Sequence, residues 1–345
     1  MLELLKQLIA IPSFSREEKQ AVDFLEAYLK GGHCPTPVHR TGNNLWTESE
    51  AAGDKPTIML NAHIDTVHDS PDWTFNPFRA EIVGNRLYGL GSNDDGASLV
   101  TMLEAYKKLI SKSQPYRLVY TVSAEEEVGG TGGLEMLLPE LGRVDLGIIG
   151  EPTGMNMATA EKGLMVLDCT ARGKSGHAAR EEGDNAIYRA LKDIEWFKNY
   201  RFDKVSEFCG PVKMSVTQIN SGSQHNVVPD CCTFVVDIRG NGLYNNLEIL
   251  EKVRNSVGCD VKPRSTRHNG ASIPLSHPVV KRGLQMGLGI FGSPTTSNQS
   301  ICPFTTLKIG PGESSRSHTA DEYIILNELK LGVETYFGLL DGLVL

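Results

Sequence analysis

The feature that most limits the fold is a set of short, unbroken apolar runs, each followed at once by charged or imidazole side chains. Ile58 to Leu60, Leu118 to Val122 and Leu146 to Ile149 are continuous rather than alternating, as expected of strands covered by helices on both faces of a largely parallel sheet. A helix is predicted between the first two, from about Gly96 to Ser111. The core pattern resumes near the end with a helical run from about Pro278 to Gly289, a strand at Thr305 to Ile309 and a helix at Asn327 to Leu340. This order predicts a three-layer α/β core. At the start, Leu2, Leu5, Leu8 and Ile9 recur at helical spacing as far as Pro12. Ser15 and Glu18 then read as a capping box opening a second helix to about Lys30.

From about Gly163 the pattern changes. An alternating strand (Leu164 to Thr170), a helix (Asn185 to Asn199), two β-rich runs (Val212 to Ile219, Cys232 to Arg239), a helix (Tyr244 to Val257) and a strand (Cys259 to Arg264) follow. That is the β-α-β-β-α-β order of a ferredoxin-like α+β unit. The expected organisation is therefore a core formed by residues 1–162 and 271–345, with residues 163–270 inserted into it.

Charge and composition exclude several classes. The 34 basic and 42 acidic residues leave a net charge of -8, with no basic footprint for nucleic acid. No apolar run approaches the roughly 20 residues that span a bilayer, and the start reads as an amphipathic helix bearing acids rather than a secretory signal. A cytoplasmic location is expected, with no membrane partner. The seven cysteines contain no C-x-x-C pair, which suggests mostly buried thiols rather than a disulfide framework or a thiolate zinc site.

The polar residues at the strand ends carry the chemistry. His63-Ile64-Asp65 follows the first run, and residues two apart on a strand share a side, so imidazole and carboxylate can meet. Asp94 and Asp95 end a glycine-rich loop before the predicted helix, where they either cap it or bridge two cations. A dinucleotide site does not fit, because Asp94 stands where the third glycine of G-x-G-x-x-G belongs. Glu125-Glu126-Glu127 and Glu151 follow the second and third strands, and His318 lies in the last glycine-rich segment. One such acid is ordinarily a solvated side chain. Together, at successive strand ends, they describe a binuclear centre, and imidazole with carboxylate suits zinc, cobalt or manganese.

With His63-x-Asp65-Thr66, Trp73, Pro77-Phe78, Gly89-Leu90-Gly91 leading to Asp94, Glu125-Glu126-Glu127-Val128-Gly129-Gly130, Gly150-Glu151-Pro152 and Ser317-His318-Thr319-Ala320-Asp321-Glu322, the chain resembles a dinuclear zinc hydrolase family. That family includes acetylornithine deacetylase, succinyl-diaminopimelate desuccinylase, aminoacylase and glutamate carboxypeptidase. The resemblance implies a metallopeptidase-like core and a dimerisation or lid domain in the insertion. It implies that His63, Asp94 and Glu151 hold one metal, and that Asp94, Glu127 and His318 hold the other. Asp65 would orient His63, Glu126 would be the general base, and the Asp94-Asp95 peptide would be cis. His177, in Gly173-Lys174-Ser175-Gly176-His177-Ala178, would stabilise the oxyanion in a partner subunit of a homodimer, with a capping or surface histidine as the alternative. A P-loop reading of Gly173-Lys174-Ser175 fails because Asp168 occupies the position of its first glycine.

Asn226, Arg239, Gly310 and Gly312 resemble substrate-binding positions. Arg239 is suited to a carboxylate, although a structural ion pair with Asp237 or Asp230 competes. The usual Met-Lys after the bridging acid is Asp95-Gly96 here. The activity implied is removal of an acetyl or succinyl group from an N-acyl amino acid, such as N-acetylornithine or N-acylcitrulline in arginine biosynthesis. A desuccinylase, a general aminoacylase, a dipeptidase, or a binding protein on a retired hydrolase fold are the alternatives.

Overall fold

The computed structural model describes residues 1–50, 54–180 and 182–345. They form two compact units, one made of 1–159, 273–291 and 297–345, the other of 160–272 and 292–296. The short excursion 292–296 into the second unit was not expected from sequence. Its main chain explains it: Ser293 O accepts the Lys162 N–H, and the Thr296 hydroxyl donates to Lys162 O.

In the first unit, strands Thr57–His63, Arg117–Ser123, Leu146–Ile149 and Thr306–Lys308 pair in parallel, with Thr57–His63 between Arg117–Ser123 and Leu146–Ile149. An antiparallel pair, Val38–Thr41 and Asn44–Glu48, extends the edge beside Arg117–Ser123. Helices Leu2–Ile9, Lys19–Tyr28, Gly96–Ile110 and Leu326–Leu340 bury their apolar faces against one side, with Leu60, Val122, Ile148 and Leu307. The opposite side carries Met59, Val119 and Ile149 under helix Leu134–Leu141. These are the three layers expected. The covering helix Leu134–Leu141 was not, since Pro139 and the preceding glycines obscure it in the sequence.

The Ser15 capping box does not form. The helix begins at Lys19, its cap residue Glu18 makes no side-chain cap bond, and the Ser15 hydroxyl instead donates to Asp65 Oδ2 at 2.7 Å. The Glu18 carboxylate is taken by the Arg16 and Glu125 amides at 2.5 and 3.2 Å. Tertiary partners have outcompeted the local cap.

The second unit is a four-stranded antiparallel sheet in the order Lys213–Ser221, Cys231–Arg239, Met165–Arg172, Asp260–Pro263. Helices Ala186–Asn199 and Asn246–Arg254 cover one face, packing Ala190, Phe197, Ile249 and Val253 on Leu167, Phe234 and Val236. This is the ferredoxin-like arrangement. Asn185 caps the first helix and Asn245, with Glu248, closes a capping box on the second. The thiols depart from expectation: only Cys169, Cys209 and Cys232 are buried and Cys231 is exposed, because Cys231 alternates outward on its strand.

Candidate metal centre

Strand Thr57–His63 is buried throughout and ends on His63. The ring Nδ1 lies 2.9 Å from the backbone carbonyl of Asp65. A carbonyl only accepts, so Nδ1 carries a proton and Nε2 faces Asp94 Oδ1 at 3.1 Å, the orientation that ligation through Nε2 needs.

The Asp65 carboxylate faces the imidazole but also has partners elsewhere. It is 3.6 Å from His63 Nδ1, beyond hydrogen-bond distance. It accepts the amide N–H groups of Glu126 and Glu127 at 3.0 and 3.1 Å, besides the Ser15 hydroxyl. The ring of His63 is thus held by the main chain of Asp65, while the side chain pins the turn that carries both glutamates. The strand ends at His63, two residues before Asp65, so strand alternation does not set where that carboxylate points.

Asp94 sits at the end of the loop before helix Gly96–Ile110 and uses its oxygens separately. Oδ1 faces His63 Nε2, and Oδ2 lies 3.8 Å from His318 Nε2. His318 Nε2 is also 2.9 Å from Glu127 Oε2. The Asp94-Asp95 peptide is cis, as the resemblance implied. Ligand atoms of His63, Asp94 and Glu127 lie within 4.8 Å of one another, and so do those of His63, Glu126 and Glu151. Glu126 therefore stands closer among the donors than the expected ligand set suggests, with Oε2 4.0 Å from His63 Nε2.

The electrostatics are those of a cation site. Burial pushes Glu126 up to about 8, with Glu127, Asp65 and Asp94 adding repulsion against the relief from His63. Burial and Glu126 hold Glu151 well above the ordinary carboxylate range, although buried Lys308 works the other way. Glu127 is raised by burial, opposed by His318. Burial disfavours the charged form of His63, but Asp65, Asp94 and Glu126 outweigh it and raise its pKa well above normal. Glu127 lifts His318 to about 9. Four crowded carboxylates facing two imidazoles fit a pair of divalent cations, which would relieve the repulsion.

The remaining expected residues fall in two places. Gly310 and Gly312 belong to the first unit, locked against Thr153 to Met155: the Gly310 amide donates to Thr153 Oγ1 at 3.1 Å, and its carbonyl accepts from Thr153 and Met155. The Gly310 amide is thereby occupied rather than open to substrate. Gly312, at φ 84°, holds a left-handed turn that favours glycine. In the second unit, His177 pairs with Val227 in a small sheet, and the Asn226 carbonyl accepts the Ala178 N–H at 3.1 Å. His177 is exposed, and its Nδ1 accepts from the Ala179 amide at 3.2 Å, which leaves the proton of the neutral ring on Nε2. Arg239 is in the ion pair with Asp237, at 2.9 and 3.1 Å.

Sequence reasoning missed a buried polar layer under the centre. Asn61 Nδ2 donates to Thr121 and Ser123, and Asn298 Nδ2 donates to Asn61 Oδ1 and Ser123 Oγ, both at 3.0 Å. Asn61 interrupting an apolar strand was the available signal.

Over residues 59–342 the chain matches the family described as peptidase family M20/M25/M40. The chain belongs to that family. Its relatives include a succinyl-diaminopimelate desuccinylase of Wolbachia pipientis wMel, 26% identical over 80% of this chain and 74% of that protein. They also include an acetylornithine deacetylase of Proteus mirabilis, 27% identical over 94% and 91%. Among solved structures, the aminopeptidase PepT of Bacillus cereus superposes with a TM-score of 0.77 at 20% identity, covering 99% of this chain and 98% of that one. This M20 protein is accordingly a metal-dependent hydrolase acting on amide bonds. Among the described residues, no helix is long and apolar enough to cross a membrane.

Proposed function

We propose that this M20 hydrolase cleaves the amide between a short acyl group and the amine of an amino acid. N-acetylornithine or N-acylcitrulline is the first choice of substrate and an N-succinyl diamino acid the second. The observation that carries the chemistry is Asp94 reaching toward both imidazoles from opposite oxygens, with Glu126 beside them. His63, Asp94 and Glu151 would hold one ion and Asp94, Glu127 and His318 the other, zinc first, with cobalt or manganese as substitutes. Such ions, when bound, would polarise the scissile carbonyl and ease ionisation of water. Glu126 takes the proton of the attacking water and returns it to the leaving amine, a role worth about 100 to 10,000-fold. Asp65 keeps that carboxylate in place through the Glu126 amide.

The first choice rests on the match to the deacetylase over 94% of this chain; the desuccinylases, at 26–28% identity over up to 85% of it, support the second choice equally. We place the reaction in arginine biosynthesis on the same ground. A cytoplasmic setting accords with the lack of any disulfide among the seven cysteines.

Two copies would pair through the second unit, with His177 donating from Nε2 to the oxyanion of the partner's reaction. In support, strand Lys213–Ser221 is a sheet edge whose Ile219 is 56% exposed. Arg239 would bind a substrate carboxylate only by exchanging Asp237 for it, and Asn226 would serve beside His177.

Zinc-loaded protein assayed against N-acetyl and N-succinyl ornithine, citrulline and diaminopimelate, together with dipeptides, tests the reading. Hydrolysis of one N-acyl amino acid is expected, and Glu126→Gln should retain two zinc equivalents while kcat falls by the factor above. Two bound zincs without turnover on any substrate would make the chain a binding protein instead.

A further inference from the structure

The acid that closes the Ser317 to Glu322 motif takes no part in the reaction above, yet Glu322 is only 2% exposed. Both of its oxygens are engaged by one short loop. Oε2 accepts the Gly91 N–H at 3.0 Å, while Oε1 accepts those of Asn93 and Asp94 at 2.8 and 2.9 Å. Its own carbonyl accepts the Gly89 N–H at 3.0 Å. Successive amides converging on one anion resemble the backbone nests that bind phosphates. Here the acceptor is a tethered side chain, and the loop it gathers ends on Asp94.

The same segment carries His318, four residues earlier, whose Nε2 faces Glu127 and Asp94. A third tie runs through Asn93, whose side-chain amide donates to the Glu313 carbonyl and the Ser317 hydroxyl, both at 3.2 Å. One stretch of chain therefore supplies an imidazole and also grips the turn that presents the carboxylate opposite it. The neighbouring acid behaves differently. Asp321 accepts from the Thr74 amide and hydroxyl and the Phe75 amide, at 2.8, 2.6 and 3.0 Å, a loop that holds none of the proposed ligands.

We infer that Glu322 is a positioning residue: through three backbone amides it sets Asp94 against His318, so that metal affinity depends on a side chain that is not a ligand. The Asn93 ties hold the loop but not the Asp94 amide, whose acceptor is Glu322. A glutamine cannot replace it, since an amide group has one acceptor oxygen and would turn an NH2 against a backbone N–H. The inference rests on the metal reading proposed above.

The test is zinc affinity by chelator competition, with zinc stoichiometry, on the wild-type chain, Glu322→Gln and Asp321→Asn. Wild type should bind two equivalents. Glu322→Gln should lose about tenfold or more in affinity, the loss typical when a ligand's supporting contact is removed. Excess zinc should then restore kcat with KM for the acyl substrate unchanged, a pattern that general misfolding would not produce. Asp321→Asn, from the same segment, should keep wild-type zinc affinity. Wild-type protein that binds no zinc would overturn the metal reading and this inference with it. Two equivalents in the wild type with undiminished affinity in Glu322→Gln would overturn the inference alone, as would an equal loss in Asp321→Asn. Should Glu322→Gln fail to fold, Glu322→Asp keeps the carboxyl group but retracts it by one methylene. An intermediate loss is then expected, and unchanged affinity overturns the assignment.

Discussion

Replacing Asp65 by asparagine separates two accounts of the same residue. In this structure its carboxylate accepts three hydrogen bonds, from Ser15 at 2.7 Å, Glu126 at 3.0 Å and Glu127 at 3.1 Å. An asparagine has one acceptor oxygen, so one backbone amide loses its partner, at a cost of about 1.5–3 kcal/mol for a bond to a charged group. The other two bonds fall from charge-assisted to neutral strength, about 1 kcal/mol each. The expected loss is then about 4 kcal/mol of stability, a large share of the roughly 5–15 kcal/mol that holds a folded protein together. Catalysis should suffer as well, because a turn displaced by about 1 Å misplaces Glu126 and can reduce kcat about 100-fold. The ring of His63 should keep its orientation, since its Nδ1 bonds to the Asp65 main chain. Urea denaturation of the chelator-treated variant measures the first effect, and kcat at saturating zinc the second. Wild-type values of both would refute the reasoning. Unchanged stability with weakened zinc binding would instead return Asp65 to the role of holding the imidazole through its side chain.

Three further outcomes are expected. Metal-free protein should lose stability as pH rises from about 5 to about 8: Glu126, raised to about 8, and the raised Glu151 stay protonated when folded but release protons when unfolded, so the unfolded state gains. Melting of chelator-treated protein across that range checks the sign, and zinc should flatten the dependence. His318→Ala should cost one zinc equivalent but little stability, about 0.5 kcal/mol or less, because this side chain is 53% exposed; metal analysis and a melting curve of the metal-free form measure both. Asn298→Ala leaves Asn61 Oδ1 and Ser123 Oγ without their shared buried donor. It should lower stability by about 1–3 kcal/mol, read as a shift of the urea midpoint.

Much of the centre was legible in the sequence because its parts are local. His63, Glu126, Glu127 and Glu151 each follow a short apolar run, and a strand end in an open α/β sheet is where ligands gather, so these positions could be placed before any coordinate was known. The ferredoxin-like order of the second unit was equally legible from alternation and helical spacing. Asparagine caps at Asn185 and Asn245 act within three residues, and they form as local rules predict.

What the tertiary structure alone decided is the partner of each buried carboxylate. Ser15 and Glu18 have the spacing of a capping box, but each is drawn to a distant partner as well: Asp65 is 50 residues from Ser15, and Glu125, which shares Glu18 with the nearby Arg16 amide, is 107 from Glu18. Asp65 stands two residues from His63, yet its side chain serves amides 61 and 62 residues away. Glu322 grips a turn 228 to 231 residues before it. A buried charge must find donors wherever the folded chain presents them. Sequence spacing reports only neighbours along one element, so the residue types at the centre could be read in advance, while the hydrogen bonds that hold them could not.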